Sequence, residues 1–467
     1  MIKNILDLQG QTQTRCRSRT SFMLDYGGAA RVDMRAAVIA VLCACVGPGG
    51  AQLGGALAGG GARLLQGALS ALTTLDLGLP ALLDTNTVDM ADQIISQFGD
   101  TTNEDARLDI VALLTKYGQR VETHSVRTDD GYLLRMFRVP GNGSAVLLMH
   151  GLLGSADDFV LAGARRGLAY RLAAAGHDVW LGNARGNKHS RRHAALRPAD
   201  PAFWDFSWHE IGTRDLPAMI DHVLRTTGRR RLKYVGHSQG TTSFFVMAAE
   251  RPEYNDKVAL MVALSPVAFM SRARSPVVRL LARGGPLLQG AAAALGLHEF
   301  LPDSPLVRAL RRLACGLGAL AERVCGNALF LATGFGFDQL DVGNLPVLLG
   351  HTPSGASMKQ FVHYGQGVLS GDFRQFDYGA GGNLEKYGTE VPPSYRLDRI
   401  TAPVSLFYSD ADWLAHPDDV DELYNKLDNC IDIHKIPHSQ FNHIDFLFGK
   451  DCNQLVNNRL SELLENF

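Results

Sequence analysis

The most constraining stretch of this 467-residue sequence is YVGHSQGTTS, which runs from Tyr234 to Ser243. It contains a G-x-S-x-G pattern, which is a weak signal by itself in a chain with 49 glycines. Its setting makes it specific, because the strand-like run LKYVGHS leads into it and the helix-like run TTSFFVMAAE follows it. A sharp turn between a buried strand and a helix strains a serine and exposes its hydroxyl group. The pattern therefore indicates that Ser238 is a nucleophile.

Strand-like and helix-like segments alternate on both sides of this turn. The strand-like runs are AVLLMHG, HDVWLGN, LKYVGHS, KVALMVALSP, APVSLFYSD and CIDIHKIP, and helix-like runs such as GLAYRLAAAG and TRDLPAMIDHVLRTT lie between the early ones. Such alternation indicates a parallel sheet with crossover connections, and VETHSVRTDDGYLLRMFRVP predicts an antiparallel hairpin ahead of it. With the serine turn, the pattern predicts the α/β-hydrolase fold, an α/β class with a mostly parallel central sheet and helices on both faces.

The alternation stops in residues 267–402, which carry amphipathic helical segments and no strand-like run. We interpret this region as a mainly helical cap, or lid, inserted between two parts of the hydrolase core, residues 108–266 and 403–467. Residues 52–107 are interpreted as a low-complexity, propeptide-like lead-in. The glycines of this lead-in precede no strand, so a phosphate-binding loop is not predicted.

Residues 1–51 are predicted to be an N-terminal extension that includes a secretory signal peptide. Arg35 is followed by an apolar run from Ala36 to Val46 and then by small residues suited to cleavage. Because that run is shorter than the roughly 20 residues that span a bilayer, no stable transmembrane anchor is expected. Met34 is a candidate for the true initiator. A signal peptide directs a protein into the secretory pathway, so the protein is expected to be secreted or lysosomal.

Cysteine usage agrees with secretion. Four of the seven cysteines follow the predicted signal peptide, namely Cys315, Cys325, Cys430 and Cys452. An even set in an oxidising compartment predicts disulfides, and three pairings are open, of which Cys315 with Cys325 is the most economical because it closes one short loop. The sequence NGS at Asn142 is a glycosylation acceptor.

The net charge and the spacing of the histidines bear on whether the protein binds nucleic acid or a metal ion. A formal net charge of −1 gives no basic field that would attract nucleic acid. The segment HSRRH has His189 and His193 four residues apart, but it lacks the glutamate of the zinc-protease pattern. A metal site is therefore not predicted at these histidines.

The serine needs a base that takes its proton and a carboxylate that orients the base. In α/β-hydrolases these groups follow in the order serine, acid, histidine, on loops after later strands. The loop DADWLAHPDD supplies Asp410 and Asp412 as nearly equal candidates for the acid. The loop HSQFNHIDF supplies His438 and His443, and His443 is favoured because a few loop residues are needed to bring a ring back over the serine.

The attacked carbonyl group develops negative charge, which two backbone N–H groups are expected to stabilise. One donor is the residue after the nucleophile, Gln239. The second is expected in the loop after an early strand, where HGLLGS makes Leu152 the candidate. An apolar side chain does not prevent its own backbone amide from donating.

Long segments resemble the acid lipase family of gastric and lysosomal lipases. They include KYGQRVETHSVRTDDGYLL, LMHGLLGS, GNARGNKHSRRH, FWDFSWHEIGTRDLPAMIDHVL, YVGHSQGTTSFF, LSPVAFM, CGNALF, DWLAHPDDV and FNHIDF. The resemblance implies Ser238 as nucleophile, Asp412 as triad acid, His443 as base, Leu152 and Gln239 as oxyanion donors, and a disulfide near Cys315 and Cys325. Ser409 departs from the family, which usually has glycine there.

The resemblance also implies a function. Members of the family hydrolyse neutral lipid esters such as triacylglycerols and cholesteryl esters without a cofactor, and their inserted cap shields an apolar acyl site. The expected partner is therefore a neutral lipid ester at a lipid–water interface. Two alternatives are an acyltransferase with the same triad and a non-catalytic lipid-binding or storage protein. The second of these is expected to have lost the serine or the histidine, and this chain keeps both.

Overall fold

The structure is a computed structural model that describes most of the chain beyond its N-terminal quarter. The described residues are 103–276 and 338–467, with short pieces at 278–279, 282–283, 298–300, 333–334 and 336. The predicted signal peptide, most of the lead-in, and both Cys315 and Cys325 lie outside these residues. The predictions made for them stay predictions.

Eleven strands are present in the described residues. They are β1 (Glu122–Arg127), β2 (Tyr132–Val139), β3 (Ala145–Met149), β4 (Asp178–Leu181), β5 (Arg192–His193), β6 (Leu232–His237), β7 (Val258–Leu264), β8 (Glu299–Phe300), β9 (Ala356–Ser357), β10 (Val404–Tyr408) and β11 (Cys430–Lys435). The main sheet has the order β1-β2-β4-β3-β6-β7-β10-β11, with β5 paired to β2. From β4 to β11 every neighbouring pair on this path is parallel, and β1, β2 and β5 add an antiparallel edge.

Helices connect and cover these strands. The α-helices of the described residues are α1 (Ile110–Lys116), α2 (Leu168–Ala174), α3 (Trp208–Glu210), α4 (Leu216–Thr227), α5 (Gln239–Glu250), α6 (Leu345–His351), α7 (Met358–Ser370), α8 (Gly379–Tyr387), α9 (Pro417–Tyr424), α10 (Asp445–Phe448) and α11 (Asn458–Asn466). Two π-helical turns, Ile211–Asp215 and Asn453–Asn457, lead into α4 and α11. Short 3₁₀ turns occur at Glu104–Ala106, Ala156–Phe159, Pro201–Trp204, Pro252–Lys257, Val342–Asn344 and Leu397–Arg399.

The continuous apolar runs form strands that are buried on both faces, as the sequence predicted. In β3, Leu147 and Met149 belong to one hydrophobic cluster, whereas Val146 and Leu148 belong to another on the opposite face of the sheet. Side chains of a strand alternate between the two faces, so a strand covered on both sides needs apolar residues at every position. The predicted α/β-hydrolase architecture is confirmed.

The part of the predicted cap that the structure describes contains α6, α7 and α8. Helix α7 packs over the start of α5, where Gln239 Nε2 donates to Gln360 Oε1 at 2.8 Å and the Tyr364 hydroxyl donates to Thr242 Oγ1 at 3.0 Å. The expectation that this region lacks strands is wrong, because β8 and β9 form an antiparallel pair. Each has two residues, too few to show a period of two in the sequence.

None of the helices in the described part of the chain combines the length and apolarity that a bilayer span requires.

Candidate active site

The tight turn at Ser238 joins β6 to α5 and holds the serine in a left-handed backbone conformation with φ 52°. A Cβ atom at Gly236 would lie 2.8 Å from the carbonyl carbon of Gly240, and one at Gly240 would lie 2.2 Å from the Met149 carbonyl oxygen. Both glycines are therefore required by close backbone approach. A non-glycine residue in this conformation costs about 1–3 kcal/mol, which the surrounding sheet and helix offset.

His443 connects the serine to a carboxylate. Its Nε2 lies 2.7 Å from Ser238 Oγ, and its Nδ1 lies 3.0 and 2.9 Å from the two carboxylate oxygens of Asp412. Because an ionised carboxylate only accepts hydrogen bonds, Nδ1 carries a proton, and Nε2 is left to accept the proton of the serine hydroxyl. His443 is 3% exposed and Asp412 is 0% exposed, so this line of hydrogen bonds is shielded from water.

The buried carboxylate of Asp412 is held in its ionised form. Burial acts to raise its pKa, but the charge of His443 and hydrogen bonds from His443, Ser265 and the Ala415 amide lower the pKa below its ordinary value. The Leu414 and Ala415 amides both donate to Oδ1, at 2.8 and 2.9 Å. Such donors stabilise a carboxylate that has lost its water.

Loop position left two candidates for the acid and two for the base, and the structure distinguishes the members of each pair. Asp410 is half exposed and forms an ion pair with Lys435 at 2.7 Å, away from the histidine. His438 lies 3.2 Å from the Asp338 carboxylate. Asp412 and His443 are thus the members of each pair that approach Ser238.

Gln239 and Leu152 are the two residues expected to supply the oxyanion donors. Gln239 is the first residue of α5, a position whose N–H has no acceptor within the helix. The loop that contains Leu152 passes directly beside the serine, since a Cβ atom at Gly151 would lie 3.1 Å from Ser238 Cβ and 3.5 Å from its Oγ. The helix start at Gln239 and the loop of Leu152 therefore both lie next to Ser238.

A buried ionic cluster supports the Leu152 loop, and sequence reasoning missed it. Asp157 contacts Lys188 Nζ at 2.5 Å, His189 Nε2 at 2.7 Å and His351 Nδ1 at 2.8 Å. Burial acts to raise the pKa of Asp157, but the charge of Lys188 and the hydrogen bonds from His189 and His351 hold that pKa well below its ordinary value. The cluster joins the end of α6 to the turn that follows Leu152, and the only sequence signal was the polar run NKHS.

Two further polar residues touch the histidine without having been predicted. Ser265, the residue after β7, places its Oγ 2.5 Å from Asp412 Oδ2 and 2.5 Å from His443 Nδ1. His237 Nε2 lies 2.9 Å from the His443 carbonyl oxygen. His237 was recognised only as part of the serine turn, and Ser265 only as part of LSPVAFM.

The remaining predicted sites that the structure describes lie outside this centre. Asn142 is exposed in the turn between β2 and β3. Cys430 and Cys452 are both free thiols, so the one possible pairing between them is not formed. Burial raises the pKa of each thiol to about 11, which keeps them protonated and unreactive at neutral pH.

Comparisons with known proteins agree with this geometry. A family described as a partial alpha/beta-hydrolase lipase region matches residues 110–163, and one described as the alpha/beta hydrolase fold matches residues 144–286. Lipase 1 of Drosophila melanogaster is 40% identical over 77% of this chain and 80% of its own length. Gastric triacylglycerol lipase of Bos taurus is 37% identical over 78% of this chain and 92% of its own. Lipase member K of Homo sapiens is 35% identical over 79% and 94%.

Proposed function

The chain belongs to the acid lipase family of the α/β-hydrolase superfamily, and on that premise we propose that it hydrolyses carboxylic esters of neutral lipids through a triad of Ser238, His443 and Asp412. The observation that carries the proposal is the continuous line of hydrogen bonds from Ser238 Oγ through the imidazole to the buried carboxylate. Triacylglycerols and cholesteryl esters are the proposed substrates, and the similarity to the bovine gastric triacylglycerol lipase supports the first.

Acylation begins at the serine hydroxyl. As Ser238 Oγ attacks the ester carbonyl carbon, His443 Nε2 takes the hydroxyl proton and the carbonyl oxygen becomes an oxyanion. The tetrahedral intermediate then collapses, the bond to the alcohol oxygen breaks, and the leaving alcohol takes the proton from His443. An acyl ester on Ser238 remains.

Deacylation repeats the same steps with water. His443 takes a proton from a water molecule that attacks the acyl carbon, and the returned proton restores the Ser238 hydroxyl as the fatty acid leaves. Throughout, Asp412 stabilises the positive charge that forms on the imidazole and keeps the proton on Nδ1. Its burial strengthens this interaction because little water screens it.

The backbone amides of Leu152 and Gln239 are the proposed oxyanion donors. The proposal is supported by Gln239 directly following Ser238 and by the loop of Leu152 passing beside the serine hydroxyl. Loss of one such donor typically lowers kcat about 100- to 1,000-fold. The Asp157 cluster fixes the loop of Leu152 from behind, so these donors are in place before the ester arrives.

We also propose secretion or lysosomal delivery, a lipid–water interface as the site of action, a disulfide between Cys315 and Cys325, and glycosylation at Asn142. The apolar segment from Ala36 to Val46 supports secretion, and the exposed position of Asn142 is compatible with a glycan. Recovery of a glycan-bearing protein from the culture medium of expressing cells is the expected result. Retention in the cytosol without a glycan contradicts this part of the proposal.

The proposed activity is tested with the secreted protein, its Ser238→Ala variant and Ser439→Ala as a matched control. We expect wild type and Ser439→Ala to hydrolyse triacylglycerols of graded acyl length or a cholesteryl ester between pH 4 and 8. Ser238→Ala is expected to lose activity by about 10⁴-fold or more. Equal rates for wild type and Ser238→Ala contradict the mechanism. A wild type that is silent on every ester supports a lipid-binding protein instead.

A further inference from the structure

Ser265 combines backbone strain with a direct contact to the proposed triad. It follows β7 at the edge of the sheet where Ser238 and Asp412 lie, it is fully buried, and its backbone is left-handed with φ 53°. Glycine adopts this conformation freely, whereas a serine is strained in it. Strain of this kind persists where the surrounding structure holds it in place, and it clusters at functional sites.

The hydroxyl of Ser265 has one proton and two obvious partners. Asp412 accepts hydrogen bonds only, so the hydroxyl donates to Oδ2 at 2.5 Å. His443 carries a proton on Nδ1, which lies 2.5 Å from the Ser265 oxygen and also faces the carboxylate. The Ser265 hydroxyl, the Asp412 carboxylate and the His443 imidazole thus each contact the other two.

The backbone of Ser265 is fixed to the strand that carries the acid. Its N–H donates to the Phe407 carbonyl oxygen at 2.8 Å, and Phe407 lies in β10, directly before the loop of Asp412. Both the hydroxyl and the main chain therefore connect the end of β7 to the acid loop.

We propose that Ser265 is a positioning residue of this catalytic centre, whose hydroxyl orients the Asp412 carboxylate and thereby holds His443 in the orientation that accepts the proton of Ser238. The proposal rests on the proposed triad and adds a fourth side chain to it. Ser265 does not touch the substrate, so its effect passes through Asp412 and His443.

Removal of the hydroxyl has a predictable effect on the acid. The hydrogen bond from Ser265 is one of the contacts that lower the pKa of Asp412 below its ordinary value, so its loss raises the pKa of that carboxyl group. The other titratable groups around the pair are His237, whose ring centroid lies 5.2 Å from that of His443, Asp445, which interacts with Asp412 through its charge, and Asp410 of the same loop. These groups are common to all variants, so the difference reports on Ser265.

The experiment compares Ser265→Ala and Ser265→Gly with wild type on a soluble short-chain ester. We expect kcat to fall about tenfold in both variants with KM within twofold, because a hydrogen bond to a charged group is lost. The acid limb of the pH profile of kcat is expected to move to higher pH, because the Asp412 carboxylate takes up a proton more readily without this hydrogen bond. The glycine variant relieves the backbone strain, so it is expected to be at least as stable to heat as the alanine variant and to supply folded protein.

Ser243→Ala is the matched control. Ser243 is also fully buried, but within the described residues its hydroxyl has no hydrogen-bond partner, so wild-type kinetics are expected. If Ser265→Gly keeps the wild-type kcat and pH profile, the hydroxyl has no role in positioning and the inference is wrong. If Ser238→Ala remains active, the proposed triad itself is wrong. The two proposals are therefore tested by different variants.

Discussion

The tripeptide HSQ occurs at residues 237–239 and again at 438–440, in two environments that give its serine different properties. In the first copy, Ser238 lies in a strained turn between strand and helix, 2.7 Å from His443 Nε2. In the second, Ser439 is exposed in a turn after β11. Identical neighbours in sequence therefore do not make a nucleophile. The backbone conformation and an aligned base distinguish the two serines.

The residue after each copy explains the two conformations. Gly240 follows the first, and its lack of a side chain allows α5 to begin against the Met149 carbonyl group. Phe441 follows the second, is fully buried, and packs against Phe446 with ring centroids 5.1 Å apart. Its carbonyl oxygen accepts a hydrogen bond from Ser409 at 2.5 Å, at the position where the family usually has glycine. Phe441, the residue after the second copy, thus anchors the loop that delivers the base.

The largest expected difference concerns the histidines of the second loop. His443→Gln removes the base and is expected to lower kcat by about 10⁴- to 10⁶-fold, as in other serine hydrolases. His438→Gln alters a side chain that contacts Asp338 away from the serine, so kcat within about twofold of wild type is expected. Steady-state kinetics on a soluble ester measure both. Large loss with His438→Gln and retained activity with His443→Gln would reverse the assignment.

The next effect tests the glycine that distinguishes the two copies. Gly240→Ala puts a methyl group 2.2 Å from a backbone oxygen, so we expect the free energy of unfolding to fall by about 3 kcal/mol or more and the turn at Ser238 to shift. Gly381→Ala is the control, because no atom lies within 4 Å of a Cβ there and α8 gains a better helix former. Urea denaturation measures both. Equal stability of the two variants contradicts the close-approach argument.

A smaller effect concerns the histidine of the first copy. Burial, and then the nearby charge of His443, lowers the pKa of His237 to about 3 in the folded protein. The unfolded chain takes up a proton below about pH 6.5 and the folded chain does not, so His237 destabilises the fold as the pH falls from 6.5 toward 3. Between pH 6.5 and pH 4, the free energy of unfolding of His237→Gln is therefore expected to fall by about 3 kcal/mol less than that of the wild type. Parallel urea-derived stability curves for the two proteins contradict this assignment.

Local patterns were sufficient to predict the sheet and the serine turn. Strands buried on both faces, such as β3 and β7, are continuous apolar runs, and the turn needs small residues at Gly236 and Gly240 whatever else surrounds them. The choice between Asp410 and Asp412 was different. It depends on which of the two side chains the loop turns toward His443, which lies 31 residues later on another loop, and loop position alone does not contain that information.

The contacts that sequence reasoning missed are also long-range. Ser265 meets Asp412 and His443 because three loops converge at one edge of the sheet, and its left-handed conformation has no signature in LSPVAFM. Asp157 pairs with His351 across the junction of core and cap. Residues far apart in sequence supply each partner, so only a structure, or many related sequences, can identify them.

The most direct test of the central claim is to determine which serine a reactive phosphonate ester labels. Such a reagent forms a covalent bond with a serine that an adjacent base has activated, and peptide mass mapping then locates the adduct. We predict one adduct per chain on the peptide that contains Ser238, none on the peptide that contains Ser439, and no labelling in His443→Gln. An adduct on Ser439, or undiminished labelling of Ser238 without His443, would contradict the account.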